Sequence, residues 1–367
     1  MSVPLFDTNG PVAPLRAAID ARLAAVLDAG VYILGPEVEA FERELAAYLG
    51  ARHVVSVANG TDALTVALQA LGVGPGDEVI VPSFTFYASA EAIPPTGATP
   101  VFCDVDGETM NVTPETVKAA LTSRTKAVVA VDLFGNPADV PAIEALGVPV
   151  VEDAAQAAGS KLNGRRTAAL GTVGTLSFFP SKNLPCFGDG GAVVTDSDEV
   201  AELARVYRFH GSRDKVTFER VGWNSRLDEM QAAILRVLLP ELDRWCDGRR
   251  TGWAHYEHAG LWDLVTPQRA TAGATPAWGL QVVRTPHAEL LQTALPAAGI
   301  GARGYYRTPL HRQQALQPWA EGADARLPVT NELARTHLAI PMSPVLDTAK
   351  ATEVTTAVRK ALAGAGE

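Results

Sequence analysis

The stretch HVVSVANGTDALTVALQALGVGPGDEVIV, residues 53–81, decides the fold. His53–Val57 is a short β-branched run that reads as a strand. Asn59-Gly60 makes a turn, Thr61–Leu71 carries apolar residues at helical spacing, and Glu78–Val81 starts a second strand. Short β-branched runs that alternate with helices imply a largely parallel sheet with helices on both faces.

The same alternation continues outward. Toward the C-terminus come a helical Tyr87–Ile93, a strand Thr99–Asp104, and a helix Thr113–Leu121 with Thr113 as cap and Pro114 at its first position. Ala127–Asp132 is a strand, Val140–Ala145 a short helix, and Val148–Val151 a strand closed by Glu152-Asp153. Gly174–Phe179 and Gly191–Thr195 are two more strands. Toward the N-terminus lie two amphipathic segments, Val12–Ala29 ending at Gly30 and Pro36–Leu49 ending at Gly50. From Leu227 to about Trp262 the pattern is helical and leads the chain away from the sheet. Beyond it, Leu280–Val283, Glu289–Ala298 and Thr348–Ala363 read as strand, helix and closing helix. The expectation is an α/β protein. A large domain over 1–240 has a mostly parallel central sheet flanked by helices, and 241–367 forms a smaller C-terminal α/β domain. Sites in such sheets lie beyond the carboxyl ends of the strands.

With 47% hydrophobic and 20% charged residues over 367 positions, the chain has the composition of a soluble globular protein large enough for two domains. A net charge of -10 argues against nucleic acid as a partner. Cys103, Cys186 and Cys246 form no C-x-x-C pair and no disulfide framework. No apolar run approaches the roughly 20 residues of a membrane span, and MSVPLFDTNG is no signal peptide. A cytoplasmic protein without membrane contact is expected. His255 and His258 lack the glutamate of a zinc-protease helix, so no metal site is expected. Gly72-x-Gly74-x-Gly76 follows a helix and precedes a strand, the reverse of the dinucleotide fingerprint.

Four local features could carry chemistry. Asn59-Gly60-Thr61-Asp62 opens a helix with free N–H groups and a hydroxyl, which suits phosphate, although a plain helix cap reads the same. Glu152-Asp153-Ala-Ala-Gln156 puts acids at a strand end, where burial demands a cation such as a protonated pyridine nitrogen, or else a helix to cap. Lys182, in Ser177-Phe-Phe-Pro-Ser-Lys182-Asn183, follows an apolar strand; desolvation would lower its pKa and make the amine nucleophilic, whereas a loop lysine in water would do nothing. Gly188-Asp-Gly-Gly191 lets the backbone turn sharply or approach a ligand.

Together with Tyr32-Ile-Leu-Gly35-Pro36, Pro82-Ser-Phe-Thr-Phe86 and Asn224-Ser-Arg226-Leu-Asp-Glu, these motifs, in this order, resemble the nucleotide-sugar aminotransferases of the DegT/DnrJ/StrS type. The resemblance runs from about residue 30 to 240 and more weakly to Pro341. It implies the aspartate-aminotransferase-like architecture (fold type I) and pyridoxal 5'-phosphate as cofactor. Lys182 then matches the Schiff-base lysine that also shuttles a proton, and Asp153 the partner of the pyridine nitrogen. Gln156 matches the residue near the ring hydroxyl, and Phe86 the aromatic stacked on the ring. Gly60, Thr61 and Ser177 match phosphate ligands. Asn224 matches a phosphate contact given by a second subunit, which implies a homodimer with shared sites.

The implied reaction moves an amino group from L-glutamate to a nucleotide-linked keto sugar. Gly188-Asp-Gly-Gly191 and Tyr207-Arg208-Phe209-His210-Gly211-Ser212 are more similar to enzymes acting at carbon 3 of dTDP-linked 3-keto-6-deoxyhexoses than to those acting at carbon 4. Arg213, Lys215 and Arg220 could meet the nucleotide pyrophosphate across the dimer interface or could form a solvated charged loop, and Tyr207, His210, Tyr306 and His311 are the other candidate substrate contacts. Here the sequence departs from the family pattern: Pro185 and Cys186 follow Lys182-Asn183-Leu184, Trp278-Gly279 stands where a histidine is common, and Tyr305 replaces a histidine. The competing readings are carbon-4 amination, a sugar dehydratase, whose pattern has histidine in place of Lys182, and a non-catalytic cofactor-binding regulator.

Overall fold

Val79-Ile80-Val81 and Ala127–Val131 are buried on both faces, which requires a sheet covered by helices on each side. The structure, a computed structural model that describes residues 3–364, places them in such a sheet. Its strands are drawn from β1 (His53–Val57), β2 (Glu78–Pro82), β3 (Thr99–Cys103), β4 (Thr125–Val131), β5 (Val150–Asp153), β6 (Lys161–Leu162), β7 (Arg165–Arg166), β8 (Val173–Ser177) and β9 (Gly191–Thr195). Seven of them pair in the order β1-β9-β8-β5-β4-β2-β3, while β6 and β7 form a separate short hairpin.

The sheet is parallel from β3 across to β8. Strand β9 alone is reversed, running antiparallel to β8 and to β1. Its first residue, Gly191, therefore stands opposite both Ser177 and Val57, the last residues of β8 and β1. One edge of the sheet thus collects the ends of β1, β5 and β8 and the beginning of β9.

Local chemistry sets the element ends. The helices Arg16–Ala29 and Pro36–Leu49 stop at Gly30 and Gly50, both left-handed, at φ 67° and 72°. The first segment starts later than expected, because a 3-10 turn over Ala13–Leu15 precedes the α-helix. Tyr87–Ile93 shrinks to Ala88–Glu91, since Pro94-Pro95 forces a 3-10 turn at Pro94–Thr96. Thr113 caps Pro114–Lys118 in a reciprocal pair with Thr116, but that helix is one short stretch and does not reach Leu121.

Past the turn Leu239–Glu241 the helix Leu242–His258 begins. Strands β10 (Thr266–Pro267), β12 (Gln281–Arg284) and β13 (His337–Ile340) form a second, antiparallel sheet, while β11 (Ala274–Thr275) joins β6 and β7. The second sheet shares an apolar core with the helices Ala288–Ala297 and Thr348–Ala363, built on Tyr256, Leu291, Leu338 and Val354. The helix Leu242–His258 lies flush on the segment after β13. A Cβ at Gly248 would sit 2.2 Å from the Pro344 carbonyl oxygen, and one at Gly252 3.3 Å from Leu346.

Candidate active site

Side chains alternate along a strand, so Glu152 and Asp153 at the end of β5 must face opposite ways. Glu152 turns into the loop after β7 and accepts the Ala168 and Leu170 N–H groups at 2.7 and 2.8 Å. Asp153 turns to the site edge. There Ser89 Oγ donates to its Oδ2 at 2.8 Å and the Ala155 N–H to its Oδ1 at 3.2 Å. Burial pushes its carboxyl up, opposed by those two donors and by the charge of Lys182. A buried acid with two neutral donors retains acceptor capacity for a cation.

Lys182 rides on the loop between β8 and β9, whose base is closed by the Ser177–Gly191 pair and by the Phe178 N–H donating to the Gly190 carbonyl at 2.8 Å. Burial lowers its pKa, and Asp153 is the charge that pulls it back up. Lys182 and Asp153 are thus close enough to feel each other's charge, and the amine spends more time neutral than a lysine in water.

The third part is the N-terminus of the helix Gly60–Ala70. Asn59 caps it by accepting the Asp62 N–H at 2.8 Å. No hydrogen bond to the Gly60 or Thr61 N–H occurs among the described residues. Glycine is required here: a Cβ at Gly60 would lie 2.7 Å from Ser177 Cβ, and one at Gly191 2.4 Å from the Asn59 carbonyl oxygen. Gly60, Thr61 and Ser177 therefore come together as a cup of N–H and O–H donors suited to phosphate.

Gln156 is locked from both sides. Its Oε1 accepts the Phe134 N–H at 2.8 Å and its Nε2 donates to the Tyr306 hydroxyl at 3.1 Å. Tyr306 stacks on Phe134, with ring centroids 5.8 Å apart. Both residues hold left-handed backbones, at φ 64° and 62°, which is costly for aromatic residues. Tyr306, read from the sequence as a substrate contact, is thus bonded directly to Gln156.

The other expected residues are placed as follows. Phe86 is 55% exposed, and its carbonyl accepts the N–H of Ser89, the residue that bonds Asp153. Asn224 is exposed; its neighbour Ser225 ties the segment to its own chain by accepting the Ala58 N–H at 3.1 Å. Tyr207 is buried and His210 exposed, with φ 62°. Arg213 pairs with Glu202 and Glu219. Lys215 and Arg220 lie over the Phe209 and Tyr207 rings at 4.8 and 5.8 Å, on an exposed loop that makes no hydrogen bond to Lys182, Asp153 or Gln156. His311 is enclosed: its Nδ1 meets Ser83 Oγ at 2.7 Å and its Nε2 meets Asp324 at 3.0 Å, leaving neither ring nitrogen free for a ligand.

Two contributors were not legible in the motifs. Ser89 is one among many serines until β5 brings Asp153 to it. Asp132, at the end of β4, is buried beside Glu152. Its Oδ1 accepts the Ala138 N–H at 2.8 Å while Oδ2 has no partner among the described residues other than the carboxyl pair itself. Burial and the Glu152 charge drive the Asp132 carboxyl far up, and burial raises that of Glu152 as well.

Together these groups are a phosphate cup, a desolvated amine, an acid fit for a ring N–H and an anchored amide. That donor set fits pyridoxal 5'-phosphate: Gly60, Thr61 and Ser177 for the phosphate, Lys182 for the aldehyde carbon, Asp153 for the ring nitrogen. The sequence profile of the DegT/DnrJ/EryC1/StrS aminotransferase family matches residues 14–359. The chain is 45% identical to a dTDP-3-amino-3,4,6-trideoxy-alpha-D-glucose transaminase of Streptomyces venezuelae, over 98% of this chain and 96% of the relative. It is 44% identical to a pleiotropic regulatory protein of Geobacillus stearothermophilus, over 94% and 95%. Among solved structures it is similar to S. venezuelae DesV in complex with a ketimine intermediate. The TM-score is 0.93 at 45% identity, with 98% of each chain covered.

Proposed function

Because the chain belongs to the DegT/DnrJ/EryC1/StrS aminotransferase family, we propose that it moves an amino group from L-glutamate to carbon 3 of a nucleotide-linked keto sugar, a dTDP-linked 3-keto-6-deoxyhexose being the first choice. The observation that carries this is the convergence of Lys182, Asp153, Gln156 and the Gly60–Thr61–Ser177 cup at one sheet edge, on a chain 45% identical to a carbon-3 sugar transaminase.

The bound cofactor supplies an electron sink for the carbon that loses its proton. The chain supplies everything else. Gly60, Thr61 and Ser177 would hold the phosphate end, and Lys182 would meet the aldehyde carbon. Asp153 would face the ring nitrogen and, when ionised, would favour its protonated form. The neutral Lys182 amine takes a proton from one side of the reacting system and returns it to the other, which general acid–base catalysis requires of a base with a lowered pKa. Tyr306 and Phe134 hold the Gln156 amide, which would meet the cofactor ring without reorganising. The exposed apolar side chains Val216, Phe218, Val221 and Trp223, close to Asn224 in sequence, support a homodimer in which Asn224 reaches the other subunit's phosphate.

The test is spectroscopic and then chemical. The purified protein is expected to show the visible absorbance of lysine-bound cofactor, lost in Lys182→Ala, and to convert L-glutamate to 2-oxoglutarate. A panel of dTDP- and UDP-keto sugars then identifies the acceptor and separates carbon 3 from carbon 4. A colourless wild type would sink the proposal. A regulatory role, suggested by the 44% identical regulatory protein, takes its place if cofactor binds but no amino acid ever gives up nitrogen.

A further inference from the structure

Trp245 and Arg249 stand one turn apart on the helix Leu242–His258, so they share a face. They are 2% and 7% exposed. The Trp245 Nε1 and the Arg249 Nε and Nη1 have no hydrogen-bond partner among the described residues, and Arg249 makes no ion pair there. Buried donors are almost always satisfied, and a buried guanidinium without an anion is among the costliest exceptions. Burial alone holds Arg249 down to about 10.

Both residues line one cavity of about 30 Å³, whose wall also includes Lys182, Met342 and Pro344. Gly248 makes the approach possible, since any side chain there would strike the Pro344 carbonyl. Asp7 is the one acid in the lining; its Oδ1 accepts the Gly10 N–H at 2.7 Å, and it forms no ion pair with Arg249 among the described residues. A water needs roughly 10–15 Å³ of such space, so the cavity suits a group with two oxygen atoms and is too small for a sugar or a nucleotide. Its unpaired groups on this helix are donors only, and a guanidinium matches two coplanar oxygens. The phosphate already has its own cup at Gly60.

We propose that Trp245 and Arg249 form the carboxylate subsite that receives the amino donor beside Lys182. This rests on the aminotransferase reading and names the part of the site that recognises an amino acid as opposed to a sugar.

Glutarate, a dicarboxylate with no amine to react, is the probe, titrated calorimetrically into the cofactor-loaded protein. Wild type is expected to bind it. Arg249→Met should weaken binding about 100-fold, as loss of a charge-assisted pair does, and Trp245→Phe, which deletes one N–H, about fivefold to tenfold. The concentration of L-glutamate giving half-maximal 2-oxoglutarate release should rise in parallel. Equal glutarate binding by all three proteins, or none by wild type, overturns the subsite. Should Arg249→Met fail to fold, Trp245→Phe decides alone. Variant-sensitive glutarate binding without any glutamate turnover would keep the subsite and remove the aminotransferase reading. Turnover with unchanged half-saturation in the variants would do the reverse.

Discussion

Asp153 is held by two neutral donors and a lysine, and its remaining capacity is what a ring N–H would use. Asp153→Asn keeps the shape and removes the charge. Breaking one buried charge pair costs about 3 kcal/mol, so release of 2-oxoglutarate should slow by about 100-fold or more while the fold persists; single-turnover absorbance measures it. His337 makes a different prediction. It is fully buried, its Nδ1 faces the Leu333 carbonyl, its Nε2 has no partner among the described residues, and burial pushes it down to about 4. The unfolded chain binds this proton at an ordinary imidazole pH, the folded chain only near 4. Stability is therefore fully present above pH ~6.5 and falls as pH drops toward 4, by about 3 kcal/mol at most. Urea denaturation at pH 7 and pH 4.5 should show that loss, and His337→Phe should flatten it. At this scale the sequence was legible where a motif fixed a residue's neighbours in the chain, as for Lys182 after β8. It was silent where the neighbour came from afar. Ser89, Asp132 and Arg249 look like ordinary polar residues until folding removes their water. His311 showed the opposite: a plausible ligand that proved to be enclosed by Ser83 and Asp324.

The elements owe their positions to close backbone approach. Helix Gly60–Ala70 meets the end of β8 only because Gly60 has no Cβ. Gly60→Ala forces a contact of 2.7 Å with Ser177 to open, and overpacking of this kind costs about 1–3 kcal/mol. The strain falls on the phosphate cup, so cofactor should wash out roughly 10-fold to 100-fold more readily on dialysis, alongside only a modest fall in the unfolding midpoint without cofactor. A large fall in that midpoint would mean the glycine serves packing alone. Most strands and long helices were readable, because β-branched runs and helix-ending glycines act locally: Thr348–Ala363 and Pro36–Leu49 lie where the pattern put them. The reversal of β9 was not readable, since an alternating or fully apolar run carries no direction. The two-residue strand β11 exists only through its pairing with β6, and no short window of sequence contains both.

For the whole molecule, the acidic net charge and the even mix of apolar and polar residues were compatible with many α/β proteins, and only the ordered motifs narrowed the choice. No helix among the described residues is long and apolar enough to cross a membrane. Val216 and Val221 are 81% and 90% exposed, beside Phe218 at 60%. Such side chains on one loop call for a cover. Light scattering should give the mass of two chains, and Val221→Asp should shift it toward one while lowering cofactor affinity, because Asn224 would lose its place. A monomeric wild type with full activity would refute the shared-site arrangement.

Since β9 starts where β8 ends, the segment carrying Lys182 leaves and re-enters the sheet at adjacent rungs, pinned by Ser177 opposite Gly191 and by Phe178 bonded to Gly190. It is a noose drawn tight at its neck, with the entropy of closing it met during folding. A ligand arriving there finds the amine already aimed and does not have to organise it. Protease cleavage within residues 178–190 should then be slow with or without cofactor, and the heat of cofactor binding should carry no signature of a loop becoming ordered.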